Sequence, residues 1–102
     1  SALLFNRTGG NNVAVGYFAL RSNQNSDSTA VGTNALQSNF EGQQNTAMGS
    51  QALPVNASGS SNTCVGYQAM HNDISGNQNT AMGAQTLATN ISGSNLTCIG
   101  YG

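Results

Sequence analysis

The sequence contains no lysine, no tryptophan, one proline (Pro54) and two cysteines, Cys64 and Cys98. Its charged residues number five: Arg7, Arg21, Asp27, Glu41 and Asp73, for a formal net charge of -1. Each scarcity excludes something. Nucleic-acid binding needs clustered basic side chains to displace counterions, and two isolated arginines do not supply them. A disordered solvating tail is normally highly charged, and this chain is not. No apolar run approaches the roughly 18 residues of a membrane-inserted helix. The opening Leu3-Leu4-Phe5 is too short for a signal-peptide core. With 37% hydrophobic residues the chain also falls short of what a conventional compact core draws on.

What is abundant is small and polar: Asn, Ser, Gly, Thr and Gln fill 57 of the 102 positions. Such a chain is ordered most readily by repetition. Aligning on a glycine that follows Ala/Cys and Val/Met/Ile gives Gly16, Gly32, Gly49, Gly66, Gly83 and Gly100, separated by 16 residues once and by 17 thereafter. The windows read NVAVG, STAVG, NTAMG, NTCVG, NTAMG and LTCIG. A second motif follows in phase (YFAL, TNAL, SQAL, YQAM, AQTL) and a third precedes the next unit (NFEG, NASG, DISG, NISG). The N-T-A-V-G piece, β-branched and bounded by glycine, predicts a strand; x-A-L predicts a second short strand; N-x-S-G is turn chemistry. Helical repeats, roughly 33–47 residues long, are disfavoured by the shorter period and by the recurrence of Gly and turn residues. The fold class expected is all-β: one parallel β-solenoid (β-roll) domain over residues 1–102, with about six 17-residue coils, beginning and ending in mid-coil.

Coils about 4.8 Å apart stack like residues into columns. Three columns are expected to form a thin core: Leu20, Leu36, Leu53, Met70 and Leu87; Phe40, Ala57, Ile74 and Ile91; and Val15, Val31, Met48, Val65, Met82 and Ile99. An asparagine column, Asn23, Asn39, Asn56, Asp73 and Asn90, is placed to hydrogen-bond from coil to coil. Alternation along the strand leaves two choices. Either Val/Met/Ile points inward with Ala/Cys outward, or Ala/Cys points inward with a Thr-x-Val stripe outward. The first is favoured because Met48, Met82 and Ile99 call for burial, although free cysteine is also a buried type. It would put Ala47, Cys64, Ala81 and Cys98 on a lateral face that meets a neighbouring protomer. A strand suited to burial on both faces asks for a second cover, another protein surface or ordered water.

The Asn-Thr-Ala-Val-Gly and Ala-Leu motifs resemble the head repeats of trimeric autotransporter adhesins and related repeats in phage tail fibres and algal-virus proteins. In those heads a Ser-Val-Ala-Ile-Gly motif forms a left-handed parallel β-roll. The resemblance spans the whole chain. It implies that Val15, Val31, Met48, Val65, Met82 and Ile99 face inward, and it carries no receptor-binding residue across.

Catalytic chemistry is hard to assemble. His71 and Asp73 are the one near-neighbour titratable pair, without a nucleophile in phase. Cys64 and Cys98 occupy one repeat position two coils apart, roughly 9–10 Å, beyond disulfide reach. There is no CxxC, HExxH or phosphate loop, and Gly9-Gly10 lacks the aspartate of a calcium-binding roll. Asp27, Glu41 and Asp73 fall in separate turns. The chain is expected to be no enzyme and to need no cofactor or metal. Sequons stand at Asn6, Asn56, Asn90 and Asn95, with the turn residues Asn56 and Asn90 the favoured glycan acceptors.

The two ends match. Gly100-Tyr101-(Gly102)-Ser1-Ala2-Leu3 continues the pattern of Gly66-Tyr67-Gln68-Ala69-Met70 with one residue extra, and neither end carries a charged or bulky cap. A subunit junction through Ala2, Leu3, Ile99, Gly100 and Tyr101 is expected, with copies stacking head to tail; the alternative is a piece of a longer repeat protein, for which end-to-end stacking is equally natural. Two functions fit. One is a non-catalytic extracellular fibre or adhesin subunit at a cell or virion surface, partnered by itself through head-to-tail and lateral contacts, with no nucleic-acid partner and no membrane insertion. The other is an ice-binding solenoid whose Thr29, Thr46, Thr63, Thr80 and Thr97 form a flat ladder; a glycan remains a further candidate ligand.

Overall fold

A computed structural model describes residues 10–102, and these contain no helix. The strands in chain order are β1 (Val13–Val15), β2 (Ser22–Asn23), β3 (Thr29–Val31), β4 (Ser38–Asn39), β5 (Thr46–Met48), β6 (Val55–Asn56), β7 (Thr63–Val65), β8 (Thr80–Met82) and β9 (Thr97–Ile99). Six of them form one parallel sheet in the order β1-β3-β5-β7-β8-β9, and β2-β4-β6 form a second. The register is residue for residue: Thr29, Thr46, Thr63, Thr80 and Thr97 align, as do Ala30, Ala47, Cys64, Ala81 and Cys98. The molecule is a parallel β-solenoid of 33 × 22 × 17 Å, as the period requires. Each coil's backbone bonds go to its neighbours, for example Thr46 N to Asn62 O at 2.8 Å and Leu53 N to Ala69 O at 2.9 Å.

The second strand of the coil is not x-A-L. That segment is a tight turn, closed by Ala52 N donating to Gly49 O at 3.2 Å and by Ala69 N donating to Gly66 O at 3.3 Å. Leu20, Leu36, Leu53, Met70 and Leu87 sit at φ between +44° and +51°, a region that non-glycine residues enter rarely. Their burial and the neighbouring coils hold them there. Gly49 opens the same turn at φ +124°, and a Cβ on it would stand 2.7 Å from Gly66 O. The second sheet begins one step later, on the residues leading into the asparagine column.

Of the three expected core columns, the leucine column holds: Leu20, Leu36, Leu53 and Met70 are fully buried, and Leu87 packs against them. The other two are reversed. Ala30, Ala47, Cys64 and Ala81 are fully buried, while Val15, Met48, Met82 and Ile99 are 58%, 42%, 43% and 73% exposed. The reason is space. Leucine and methionine side chains from the turn already fill the narrow interior, so the facing strand residue must be small. Phe40, Ile74 and Ile91 are also exposed, because each follows an inward Asn or Asp and alternation turns it outward. Ala19, Ala35, Ala52 and Ala69, with Thr86, complete the interior. Thr86 Oγ1 is satisfied by donating to Gly83 O at 2.9 Å.

The asparagine column forms as expected. Asn39 Nδ2 donates to Asn23 Oδ1 at 2.7 Å, and Asn56 Nδ2 donates to Asn39 Oδ1 at 2.8 Å. A second, unanticipated ladder runs through the residue before each threonine. Ser28 N donates to Asn12 Oδ1, Asn62 N to Asn45 Oδ1, Asn79 N to Asn62 Oδ1 and Leu96 N to Asn79 Oδ1, at 2.9–3.0 Å. The two ladders meet on turn carbonyls: Gly59 O accepts from Asn56 Nδ2 at 2.7 Å and from Asn45 Nδ2 at 2.8 Å. The 16-residue first interval is absorbed in this turn, where Asn25 O accepts from Asn23 Nδ2 and Asn12 Nδ2 in the same way.

Shortening a leucine in the filled interior should leave a cavity that its constrained turn cannot collapse. Leu53→Ala is expected to cost about 3 kcal/mol in urea melts followed by circular dichroism, and Leu53→Asp to abolish the folded signal. A parent-like melt for Leu53→Asp would refute the column assignment.

Candidate functional site

The outward side of the six-stranded sheet is a surface of two regular columns. Its first column is Val13 followed by Thr29, Thr46, Thr63, Thr80 and Thr97; its second is Val15, Val31, Met48, Val65, Met82 and Ile99. Strand pairing spaces both columns at about 4.8 Å. Thr29, Thr46, Thr63 and Thr80 are half-buried between their neighbours, and Thr97 is exposed. Neither column contains a charged residue. Tyr17, Tyr67 and Tyr101, one residue beyond the strand glycines, add exposed aromatic area. The surface can present hydroxyl and methyl groups in rows to a flat partner, but it offers no general base and no nucleophile.

The lateral face expected from Ala47, Cys64, Ala81 and Cys98 is not a surface. Ala47, Cys64 and Ala81 are fully buried, and Cys98 is half-buried in the last coil. The thiol of Cys64 lies 3.1 Å from Met70 Sδ. Burial pushes it up to about 12, with the nearby Asp73 adding to the rise, so it stays a protonated packing group at neutral pH. Both cysteines are free. Cys98, by contrast, lines an open groove with Gln85, Leu87, Ala88, Thr89 and Gly102.

Other sequence candidates disperse. His71 Nδ1 lies 3.3 Å from Asn72 Oδ1, while Asp73 turns into the interior and is fully buried. Among the described residues no group of three His, Cys, Asp or Glu side chains gathers to hold a metal ion, and no helix is long and apolar enough to cross a membrane. The favoured sequons differ in placement: Asn56 is fully buried in the interior, whereas Asn90 is half-buried and spends its amide on Asp73 Oδ1 and Gly93 O, at 3.3 Å each. Both turn positions contribute to the ladder. Of the junction residues, Ala2 and Leu3 lie outside the described residues; Ile99 and Tyr101 are 73% and 81% exposed, and Gly100 is exposed beside them. A glutamine row that sequence reasoning missed stiffens the turn side: Gln68 Nε2 donates to Gln51 Oε1 at 2.9 Å, and Gln85 Nε2 to Gln68 Oε1 at 3.2 Å. Its in-phase SQAL, YQAM and AQTL spelling was the available signal. At the first coil Tyr17 stacks on Phe18 with centroids 3.9 Å apart, and the Arg21 guanidinium lies 4.3 Å from the Phe18 centroid.

Comparison with protein-family models, with curated proteins and with solved structures gives no match for this chain.

The two thiols should separate cleanly in chemistry, since the thiolate is the reactive form. Alkylation of the native protein at pH 8 is expected to give a single adduct at Cys98, and alkylation in denaturant two. Mass spectrometry that finds native Cys64 modified as fast as Cys98 would contradict its place in the core.

Proposed function

We propose that this chain is a non-catalytic structural subunit of an extracellular fibre or adhesin at a cell or virion surface, and that the occupant of its outward sheet face is a second copy of the chain. The observation that carries the reading is the uncharged two-column face. An exposed row of Val, Met and Ile running the length of a sheet is an association surface by its chemistry. Two copies meeting there bury no unpaired charge and suffer no like-charge repulsion. Both carry rows at the same coil spacing, so one ladder finds a matching ladder. The resemblance to adhesin head repeats supports the fibre or adhesin role, though it implied an inward Val/Met/Ile column where Val15, Met48, Met82 and Ile99 are exposed.

One observation favours a second reading. Thr29, Thr46, Thr63, Thr80 and Thr97 point outward in exact strand register, as an ice-binding ladder requires. Met48 and Met82 beside them interrupt the chemical regularity that ordering water demands, which places this reading second.

The test is size. Sedimentation at micromolar concentration is expected to show oligomers or filaments for the parent. Val65→Glu/Met82→Glu should remain folded, because both side chains point outward, yet sediment as a monomer. A monomeric parent that shapes ice crystals would overturn the assembly reading in favour of the ice-binding one; unchanged oligomers in the double variant would show that this face is not the interface.

A further inference from the structure

Asp73 is the one acidic residue in the buried asparagine column. The coil before it defines what that position does. Asn56 accepts from Gly59 N through Oδ1 at 2.9 Å, and its Nδ2 donates twice, to Asn39 Oδ1 at 2.8 Å and to Gly59 O at 2.7 Å. Asp73 reproduces the first half: Oδ1 accepts from Gly76 N at 3.1 Å and from Asn90 Nδ2 at 3.3 Å. The glycine geometry agrees, since a Cβ on Gly59 would lie 2.6 Å from Asn56 Oδ1 and one on Gly76 would lie 2.7 Å from Asp73 Oδ1. The second oxygen of Asp73 therefore stands where the column carries an amide nitrogen.

That place is built for a donor. Its two neighbours by repeat are Asn56 Oδ1 and Gly76 O, both acceptors. Gly76 O receives a bond from Asn62 Nδ2 at 2.7 Å, but the second donor that Gly59 O enjoys from its own coil is missing. Asp73 Oδ2 is fully enclosed and has no hydrogen-bond partner. A carboxylate would set a charged oxygen against two carbonyl oxygens out of reach of water. A carboxylic acid has the O–H the site lacks.

We propose that Asp73 enters the folded solenoid as a neutral carboxylic acid whose Oδ2–H donates to Asn56 Oδ1, closing the ladder between the coils and making the fold tighten as the solution turns acid. Folding then takes up a proton. Among the described residues no cation offsets this: burial raises the Asp73 carboxyl, opposed only by the N–H groups of Gly76 and Ile74. The titratable neighbour from the strand side is the Cys64 thiol, itself protonated; His71, two residues earlier, is engaged with Asn72 on the surface. The sign follows directly. The unfolded carboxyl titrates near its ordinary 3.8 and the folded one higher, so between them the native state binds more protons. Stability is then greatest below the unfolded value and declines as pH rises through the folded value, by up to about tenfold in the folding constant per pH unit.

The experiment is a pair of pH series of denaturant melts, parent against Asp73→Asn, with carbon NMR of the Asp73 carboxyl. Asparagine is the column's own residue, so the variant should fold. It is expected to match the acidic parent at every pH and to exceed the parent at pH 7, with the descending limb of the parent gone. The carboxyl carbon should titrate above the ordinary aspartate range. An identical pH slope in the variant, or a carboxyl titrating at or below its ordinary value, would overturn the proposal. This inference is independent of whether copies associate.

Discussion

The solenoid depends on a buried amide being satisfied on every side. A hydrogen-bonding group enclosed without a partner costs about 1–3 kcal/mol, and Asn39, Asn45, Asn56, Asn62 and Asn79 are all fully buried. They are tolerated because each donates to, or accepts from, the coil above or below. One coil's acceptors are the next coil's donors, so no coil can be displaced without stranding groups in two others. This is why the period is held so closely, and why the single short interval is absorbed where Asn25 O stands in for a turn glycine carbonyl. It also explains how a chain with so few large apolar residues stays ordered. The interior is a thin seam of Leu, Met and Ala flanked by amide ladders.

The repetition that imposes the ladders is what made the fold legible. Gly16 to Gly100 gave the period, the Leu20–Leu87 row gave one wall of the core, and Asn23 to Asn90 gave one ladder. What did not come through was direction. Alternation pairs Thr with Val but does not say which way the pair points, and bulk alone favoured burying Met48 and Ile99. The deciding signal was the range of sizes tolerated. The inward position takes only Ala or Cys, because Leu53 and Met70 close the space opposite, whereas the outward position accepts Val, Met and Ile indifferently. The candidate site was legible as a threonine row and misread as a lateral Ala/Cys face for the same reason. The x-A-L turn was hidden by φ: leucine carries no local mark of a left-handed conformation, which tertiary packing imposes.

Function and fold divide the residues sharply. Among the described residues, Cys64, His71 and Asp73 are chemically distinctive side chains that the sequence brought forward, and each is engaged elsewhere in the fold. Cys64 packs on Met70, His71 contacts Asn72, and Asp73 takes an amide's place in the ladder.

The outward columns then need an account of their own, since the interior does not demand them. Strand preference explains part: Thr, Val and Ile are β-branched and suit an exposed pleated surface. It does not explain the methionines, which are unbranched, flexible and 42% and 43% exposed at Met48 and Met82. Nor does it explain the absence of Lys and Glu, which natural sheets use to blunt open surfaces and edges. A solvated face would gain solubility from such residues at little cost to the strand. The chain as a whole has no Lys and one Glu, and its acidic residues Asp27 and Glu41 stand in exposed turns, so the six-stranded face is uncharged. The amides bind coil to coil inside, and the aliphatic row is what the outward face offers to the association proposed above.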